Sequence, residues 1–230
     1  MVIEYHRPRV PVRPGFLFFN MKKVIFFIDG FNLYHAIKDL RKDEYKWLNL
    51  DKLAKSFIKR DEEIIRVYYF TALASWNQSK VRKHKTYIRA LETVNVETIY
   101  GQFKRREKLC PKCKKKYWTY EEKKTDVNIA IQLFKLSIEN RFDKAFIISG
   151  DSDLIPSIRA VKESFPGKKI GAIVPIGRSA LDLKNNCDFH MKIKEKHLKT
   201  CVFPERIRLA DSTVITCPAT WRNLARDEQI

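Results

Sequence analysis

Aspartates that directly follow short apolar stretches are the residues of this chain best suited to chemistry. Asp29 closes the stretch VIFFID at 24–29, while Asp151 and Asp153 follow AFIIS at 145–149. Each stretch has the continuous Val, Ile and Phe content of a strand buried on both faces of a parallel sheet. Ligands of open parallel sheets bind at the carboxyl ends of strands, so neighbouring strands would bring these three carboxylates into one crevice.

Asp126 would add a fourth carboxylate, because it begins a predicted helix that Thr125 caps. Crowded carboxylates repel one another unless a cation neutralises them. Ligand sets made only of oxygen select hard ions, so Mg²⁺ or Mn²⁺ is expected. Such an ion polarises a phosphate group and activates water. We expect Asn32 to orient the phosphate or the water.

Each of these residues also has a purely structural interpretation. Asp-Gly is a common turn pair, so Asp29 taken alone is more often structural. Asp126 and Asp153 are ordinary first-turn carboxylates, which the helix dipole favours, and Asn32 is suited to capping a helix. The metal site is favoured because FIDGFN and SGDSD occur together at equivalent strand ends.

The net charge of +19 over 230 residues is the strongest compositional signal. It favours a polyanionic partner, nucleic acid first and an anionic membrane surface second, over a basic surface with no partner. No apolar run approaches the roughly 20 residues that span a bilayer, and we predict no membrane partner. Five cysteines, an odd number, argue against a disulfide framework and for a cytoplasmic location.

Strands alternate with helices along the chain, which predicts one α/β domain with a mostly parallel sheet. Residues 1–21 are expected to be an N-terminal arm, and a disordered segment and a mis-assigned start are its two interpretations. Residues 22–191 would form the main domain, and residues 192–230 a C-terminal helix and hairpin packed on it. Phe203–Trp221 predicts an antiparallel flap. Sheet strands are expected at 24–29, 63–71, 96–100, 144–149 and 169–174.

Residues 104–124 interrupt the alternation with ten Lys and Arg against three Glu. We predict a basic, solvent-facing knuckle or hairpin that overhangs the carboxylate crevice. Its cations would hold phosphates while an aromatic ring stacks on an unpaired base, which favours single-stranded RNA. The alternative is a solvated loop whose aromatic residues serve only the hairpin. The substrate-binding candidates are Lys114, Lys115, Lys116, Trp118, Lys123 and Lys124.

Cys110 and Cys113 in this insertion have the CxxC spacing of half a zinc site. A full Zn²⁺ site needs two further ligands. No second CxxC or CxxH pair occurs, so the remaining ligands would come from scattered residues or from another subunit. Unliganded thiols are the alternative. The scattered candidates are Cys187, Cys201, Cys217, His190 and His197.

Three segments together carry a family resemblance: VIFFIDGFNLYHAI, KKTDVNIAIQLF and AFIISGDSDLIPSIRAVKE. As an ordered set they resemble the NYN domains of the PIN-like ribonuclease superfamily, specifically its LabA-like branch. GRSALDLKNNCDF and the tail FPERIRL…VITCPATW also resemble segments of that branch.

The resemblance implies a Rossmann-like (PIN-like) sheet with central order 3-2-1-4-5, helices on both faces, and metal-dependent cleavage of RNA. By motif position it implies that the strand-end and helix-start aspartates are the acidic metal-binding set, with Asn32 following the first of them. Ser149 takes the small hydroxyl position before Gly-Asp, and Ser149 and Asn32 are expected to contact substrate. The implied catalytic and metal-binding residues are Asp29, Asp126, Asp151 and Asp153.

The leading hypothesis is therefore a Mg²⁺- or Mn²⁺-dependent RNA endonuclease. A noncatalytic RNA-binding or regulatory module with the same fold is the alternative, and DNA as the cleaved substrate stays open, as does a homodimer. A dehalogenase-like phosphatase is disfavoured, because its Asp-x-Asp motif would need an aspartate where Phe31 stands.

Overall fold

A six-stranded parallel sheet forms the centre of the protein, whose computed structural model describes residues 21–222. The predicted arm lies outside the described residues, except for Met21. The sheet order is β3-β2-β1-β6-β7-β8, and every neighbouring pair is parallel. The strands are β1 Lys22–Asp29, β2 Glu62–Thr71, β3 Val96–Tyr100, β4 Gln102–Leu109, β5 Lys116–Lys123, β6 Lys144–Ile148, β7 Lys169–Val174, β8 Phe189–Lys192, β9 Arg206–Arg208 and β10 Val214–Thr216.

This order confirms the predicted α/β class and the central arrangement 3-2-1-4-5, because β6 and β7 are the fourth and fifth strands along the sheet-forming part of the chain. The sheet has one further edge strand, β8, which was not predicted. β8 is only four residues long and alternates between half-buried and exposed side chains. It therefore lacks the apolar run that identified the central strands.

Helices cover both faces of the sheet, as expected. The reason is visible in β1, where Phe26 and Ile28 enter one hydrophobic cluster while Ile25 and Phe27 enter the other. Phe26 stacks on Phe146 of β6 with ring centroids 4.7 Å apart. The helices are α1 Gly30–Asp39, α2 Leu50–Lys55, α3 Gln78–Glu92, α4 Thr125–Ile138, α5 Ile155–Ser164, α6 Leu181–Asn186 and α7 Glu195–Thr200.

The basic insertion is a two-stranded hairpin outside the central sheet, which confirms the prediction for this segment. β4 and β5 pair only with each other among the described strands, from Gln102 opposite Lys123 to Leu109 opposite Lys116. Cys110 and Cys113 lie in the turn between them. The hairpin joins the domain directly before α4, the helix that carries Asp126.

The predicted C-terminal flap is also confirmed, since β9 and β10 form a separate antiparallel pair. The segment that leads to it packs on the main core: Trp47 contacts Phe203 and donates a 2.9 Å hydrogen bond to the Pro204 carbonyl. Trp221 lies edge-on to Tyr87 of α3. The division of the chain between residues 191 and 192 stays a prediction.

Gly171 of β7 provides a test of the edge of this sheet. The Phe189 ring lies over Gly171, and a Cβ there would come 1.8 Å from a ring carbon. The ring cannot move freely, because Phe146 contacts its edge and the Lys144 ammonium lies 4.3 Å from its centroid. We expect Gly171→Ala to lower the free energy of unfolding by about 1–3 kcal/mol, the usual cost of overpacking.

Urea unfolding of Gly171→Ala measures this loss. Gly167→Ala is the matched control, because no atom lies within 4 Å of the added Cβ there. Equal stability of the two variants would contradict the packing described for Phe189.

Candidate active site

Asp29 links the two strands whose ends form the candidate site. It is the last residue of β1 and is 3 % exposed. Its Oδ1 accepts hydrogen bonds from the backbone amides of Phe31 and Asn32, at 3.1 and 3.0 Å, and so caps α1. Its Oδ2 accepts a 2.8 Å hydrogen bond from the Ser149 hydroxyl, beyond the end of β6. Burial raises the pKa of Asp29, with a further increase from the charge of Asp151.

Asn32 and Ser149 were expected to contact substrate, yet their visible role is to hold the loop after β6. Asn32 Oδ1 accepts a 3.0 Å hydrogen bond from the Gly150 amide. Ser149 is fully buried, and its Oγ accepts one from the Asp151 amide at 3.0 Å. Both residues therefore position the carboxylate of Asp151. A direct contact with substrate stays a prediction.

Three of the four predicted aspartates form one cluster. Asp126, Asp151 and Asp153 each offer a carboxylate oxygen, and these oxygens lie within 4.8 Å of one another. Asp126 comes from the first turn of α4, while Asp151 and Asp153 come from the loop after β6. Asp151 Oδ1 also accepts a 3.0 Å hydrogen bond from the Asp153 amide. Asp29 is outside this group, and its carboxylate accepts hydrogen bonds from α1 and Ser149. A direct metal contact of Asp29 stays a prediction.

The cluster concentrates negative charge on Asp126. Burial, followed by the charges of Asp29, Asp151, Glu122 and Asp153, raises the pKa of Asp126 to about 6. A cation bound by the three oxygens would relieve this repulsion. Because every donor is a carboxylate oxygen, the group fits a hard divalent ion such as Mg²⁺ or Mn²⁺.

Glu122 is a residue of this site that the sequence analysis missed. Its carboxylate accepts a 3.1 Å hydrogen bond from the Thr125 amide and another from the Thr125 hydroxyl. Thr125 is thus the first residue of α4 and not its cap, which corrects the prediction; the cap position is Lys124, in a left-handed conformation. Gly101 permits this close approach, since a Cβ there would lie 2.8 Å from Glu122 Oε1. The spacing Glu-x-x-Thr before the helix was the available signal.

The predicted lysines divide between the two ends of the hairpin. Lys123 and Lys124 lie at its base, directly before α4, and Lys123 Nζ is 3.4 Å from a Glu121 carboxylate oxygen. Lys114, Lys115 and Lys116 lie at the tip, about 25 Å away for strands of eight residues. The structure therefore does not bring the tip lysines to the aspartates.

Trp118 lies on β5 with the Arg105 guanidinium 3.9 Å from its ring centroid. A second tryptophan, Trp76, was not among the predicted site residues. Its ring stacks on Tyr120 with centroids 3.7 Å apart and planes 5° apart. Trp76 lies in the loop after β2. Because β2 is the neighbour of β1 in the sheet, this loop lies at the rim of the site, which the local sequence does not indicate.

Cys110 and Cys113 share the hairpin turn, and backbone amides of Cys113 and Lys112 lower the pKa of Cys110. Within residues 21–222, the aspartate cluster is the one group of three or more potential metal ligands that come together. Cys187, Cys201, Cys217, His190 and His197 are thus not gathered around the CxxC. Cys201 and Cys217 are buried in the core instead.

Comparison of the sequence with known proteins identifies the family of this chain. The sequence model of the NYN domain matches residues 23–194, most of the chain and every aspartate of the site. The chain belongs to the NYN domain family. NYN domains are part of the PIN-like superfamily, so the resemblance is confirmed at that level, and membership suggests a nuclease. Assignment to the LabA-like branch of NYN proteins stays a prediction.

Two individual proteins are similar to this NYN protein. The 6-hydroxy-3-succinoylpyridine 3-monooxygenase HspA of Pseudomonas putida (strain DSM 28022 / S16) is 28% identical over 237 residues, covering 85% of this chain and 74% of its own. A protein of unknown function, VPA0982 of Vibrio parahaemolyticus RIMD 2210633, has a TM-score of 0.53 at 16% identity. That match covers 76% of this chain and 94% of the other, and it shows a shared fold. Among residues 21–222, no helix combines the length and apolar character needed to cross a membrane.

The raised pKa of Asp126 predicts a pH-dependent stability. The folded pKa of about 6 lies above the ordinary value of 3.8, so folding favours the protonated carboxyl. Its stabilising contribution is complete below about pH 4 and is lost as pH rises through about 6. We therefore expect Asp126→Asn to raise the unfolding temperature at pH 8 in EDTA, with the gain shrinking toward pH 4. Because Asp126 is half-exposed, solvent screening limits the gain to about 1 kcal/mol or less.

Thermal unfolding across this pH range measures the effect. Asp61→Asn is the control, since Asp61 is exposed before β2 and a backbone hydrogen bond lowers its pKa. The control should gain no stability as pH rises. An Asp126→Asn variant that is no more stable than wild type at pH 8 would show that the cluster carries no repulsive strain.

Proposed function

We propose that this NYN protein is a divalent-metal-dependent ribonuclease that hydrolyses RNA phosphodiester bonds at the aspartate cluster. The observation that carries the proposal is the convergence of Asp126, Asp151 and Asp153, whose carboxylate oxygens lie within 4.8 Å of one another. The two segments that bring them together are the start of α4 and the loop after β6. Family membership supports a nuclease with RNA as its substrate.

Asp126, Asp151 and Asp153 would hold the Mg²⁺ or Mn²⁺ ion directly. When bound, such an ion neutralises charge on the phosphate and activates water for attack. Asp29 would act behind them: its carboxylate fixes Ser149, and Ser149 in turn receives the amide of Asp151. Glu122 fixes the first turn of α4, which holds Asp126 in place. The acidic set is thus two layers, a metal-facing layer and a buried positioning layer.

The hairpin would supply the RNA-binding surface. Lys123 and Lys124 at its base lie nearest to the cluster, so they are suited to the phosphates beside the cleaved bond. Lys114, Lys115 and Lys116 lie at the tip of the hairpin, about 25 Å from its base. At that distance they would hold phosphates several nucleotides away from the cleaved bond. An isolated ribbon of this kind matches a single strand of RNA better than a rigid duplex.

A noncatalytic RNA-binding module is the second candidate, and it would use the same hairpin without turnover.

Oxygenation, as in the name of the Pseudomonas relative, has less support from the set of potential metal ligands. Non-haem iron oxygenases use two histidines and one carboxylate, whereas the described cluster contains aspartates alone. DNA cleavage differs only in the sugar and is an outcome of the same assay. The unpaired cysteines fit a reducing cytoplasm.

The nuclease proposal predicts metal-dependent cleavage that requires Asp151. We expect purified protein to cleave end-labelled single-stranded RNA with Mn²⁺ or Mg²⁺ and to lose this activity in EDTA. Asp151→Asn should reduce the rate by at least about 100-fold, the scale on which one electrostatic partner of a transition state acts. Matched single-stranded DNA tests the sugar.

Asp61→Asn is the control for this assay, because the Asp61 side chain is exposed at the amino end of β2, the end of the parallel strands opposite to the aspartates. It should cleave like wild type. Cleavage that survives both EDTA and Asp151→Asn would exclude the metal mechanism. RNA binding without cleavage under every metal condition would favour the noncatalytic module.

The Cys110–Cys113 pair is proposed as half of a Zn²⁺ site. Four-coordinate zinc needs ligands beyond these two thiols, and residues 21–222 do not add them. A second copy of the chain could complete the site with its own pair, which is the form of homodimer that we propose.

Metal analysis of the purified protein tests this zinc site. One Zn²⁺ per two chains is expected, with loss of both the zinc and the dimer in Cys110→Ser. Cys187→Ser is the control, since Cys187 is half-buried and lies away from the hairpin. Protein that contains no zinc, or zinc that Cys110→Ser retains, would end the proposal.

A further inference from the structure

The two faces of the β4–β5 hairpin have different chemistry. Residues directly opposite each other share a face, and successive residues alternate. The pairs Phe103–Glu122, Arg105–Tyr120 and Glu107–Trp118 therefore lie on one face, called here the aromatic face. The other face is basic, and there Glu121 forms ion pairs with Arg106, Lys108 and Lys123.

Trp76 extends the aromatic face toward the domain. Its ring stacks on Tyr120, and it meets Phe103 edge-to-face with centroids 4.7 Å apart. Phe103 in turn contacts Phe31 at 5.3 Å. These contacts hold the hairpin against the rim of the sheet. A purely structural anchor would be buried, but Trp76 and Tyr120 are 40 % and 36 % exposed.

The exposed stack lies next to the aspartate cluster. Phe31, at one end of the aromatic contacts, donates its amide to the Asp29 carboxylate. Glu122 is two residues after Tyr120 on the same face, about 7 Å along the strand. Its carboxylate holds the start of α4, and its charge acts on Asp126. A nucleotide whose phosphate is at the aspartates thus has its base within reach of the stack.

We propose that Trp76 and Tyr120 form a platform for one unpaired nucleobase, the base that flanks the phosphate held at the aspartates. This assignment rests on the proposed ribonuclease function and specifies how that site chooses its substrate. Trp118, one step further along the same face and 54 % exposed, receives the following base on the ring face that Arg105 does not cover. The occupant is single-stranded RNA, because a base inside a duplex has both faces covered by its stacked neighbours and because Arg105 complements the phosphate charge.

The experiment combines protein variants with RNA that lacks single bases. In the Asp151→Asn background, which slows cleavage, anisotropy gives the Kd of a labelled single-stranded RNA. A series of oligonucleotides carries one abasic nucleotide at each position in turn. We expect Trp76→Ala to weaken binding of intact RNA about 5- to 100-fold, the range for one stacked base.

The abasic series separates base stacking from hairpin anchoring. With Trp76 present, one abasic position should raise the Kd by the same factor as Trp76→Ala raises it for intact RNA. When this abasic RNA is combined with Trp76→Ala, the Kd should rise no further than with either change alone. Trp76→Phe, which keeps a ring, should recover most of the affinity. Losses that multiply at every abasic position would show that Trp76 only anchors the hairpin, and unchanged binding by Trp76→Ala would also overturn the platform.

Tyr117→Ala is the matched control, since Tyr117 is an exposed aromatic residue of β5 on the basic face. It should bind intact RNA like the parent protein. The parent cleavage assay keeps the two proposals distinct. If the protein cleaves RNA but Trp76→Ala binds RNA normally, only the platform is rejected. If Trp76→Ala weakens RNA binding but the protein shows no metal-dependent cleavage, the ribonuclease is rejected and the RNA-binding site is retained.

Discussion

The buried carboxylate of Asp29 is the interaction on which the rim of this sheet depends. A carboxylate removed from water is costly unless donors satisfy it. Here the donors are two amides of α1 and the Ser149 hydroxyl, so one side chain fixes the start of a helix and the end of a neighbouring strand. Asn32 completes the connection by accepting the Gly150 amide. The position of Asp151 follows from these bonds.

The aspartates at the rim differ in how their charge is satisfied. The Asp29 carboxylate accepts three hydrogen bonds from protein donors, and one of these donors, Ser149, receives the Asp151 amide. The three aspartates in front of it have few such donors, and their mutual repulsion is a local cost to folding. Functional sites commonly carry such a cost, which the rest of the fold offsets. In this protein the two hydrophobic clusters on either side of β1 provide that support.

The sequence predicts the parts of this molecule that depend on local pattern. Continuous apolar runs identified β1, β6 and β7, and the strand-end position of Asp151 followed from the same runs. Strand β8 escaped prediction because an edge strand of four residues has no such pattern. Glu122 was missed although the local spacing Glu-x-x-Thr carries its contact with Thr125. Trp76 escaped for another reason: it stacks on Tyr120, which the packing of the hairpin brings near, and no local periodicity records that contact. Asp29 was placed correctly, but its engagement by Ser149 required knowing that β1 and β6 are neighbours.

The hairpin pairs with no strand of the central sheet among the described residues, which frees its length to vary. Insertion or deletion of two residues in each strand would move the Cys110–Cys113 turn by about 7 Å and leave the aromatic and basic faces unchanged. A change of one residue in each strand would exchange the faces beyond that point. Each strand of the hairpin is therefore expected to gain or lose residues in even numbers during evolution. Such changes would alter the length of RNA that the hairpin contacts without altering the site at its base.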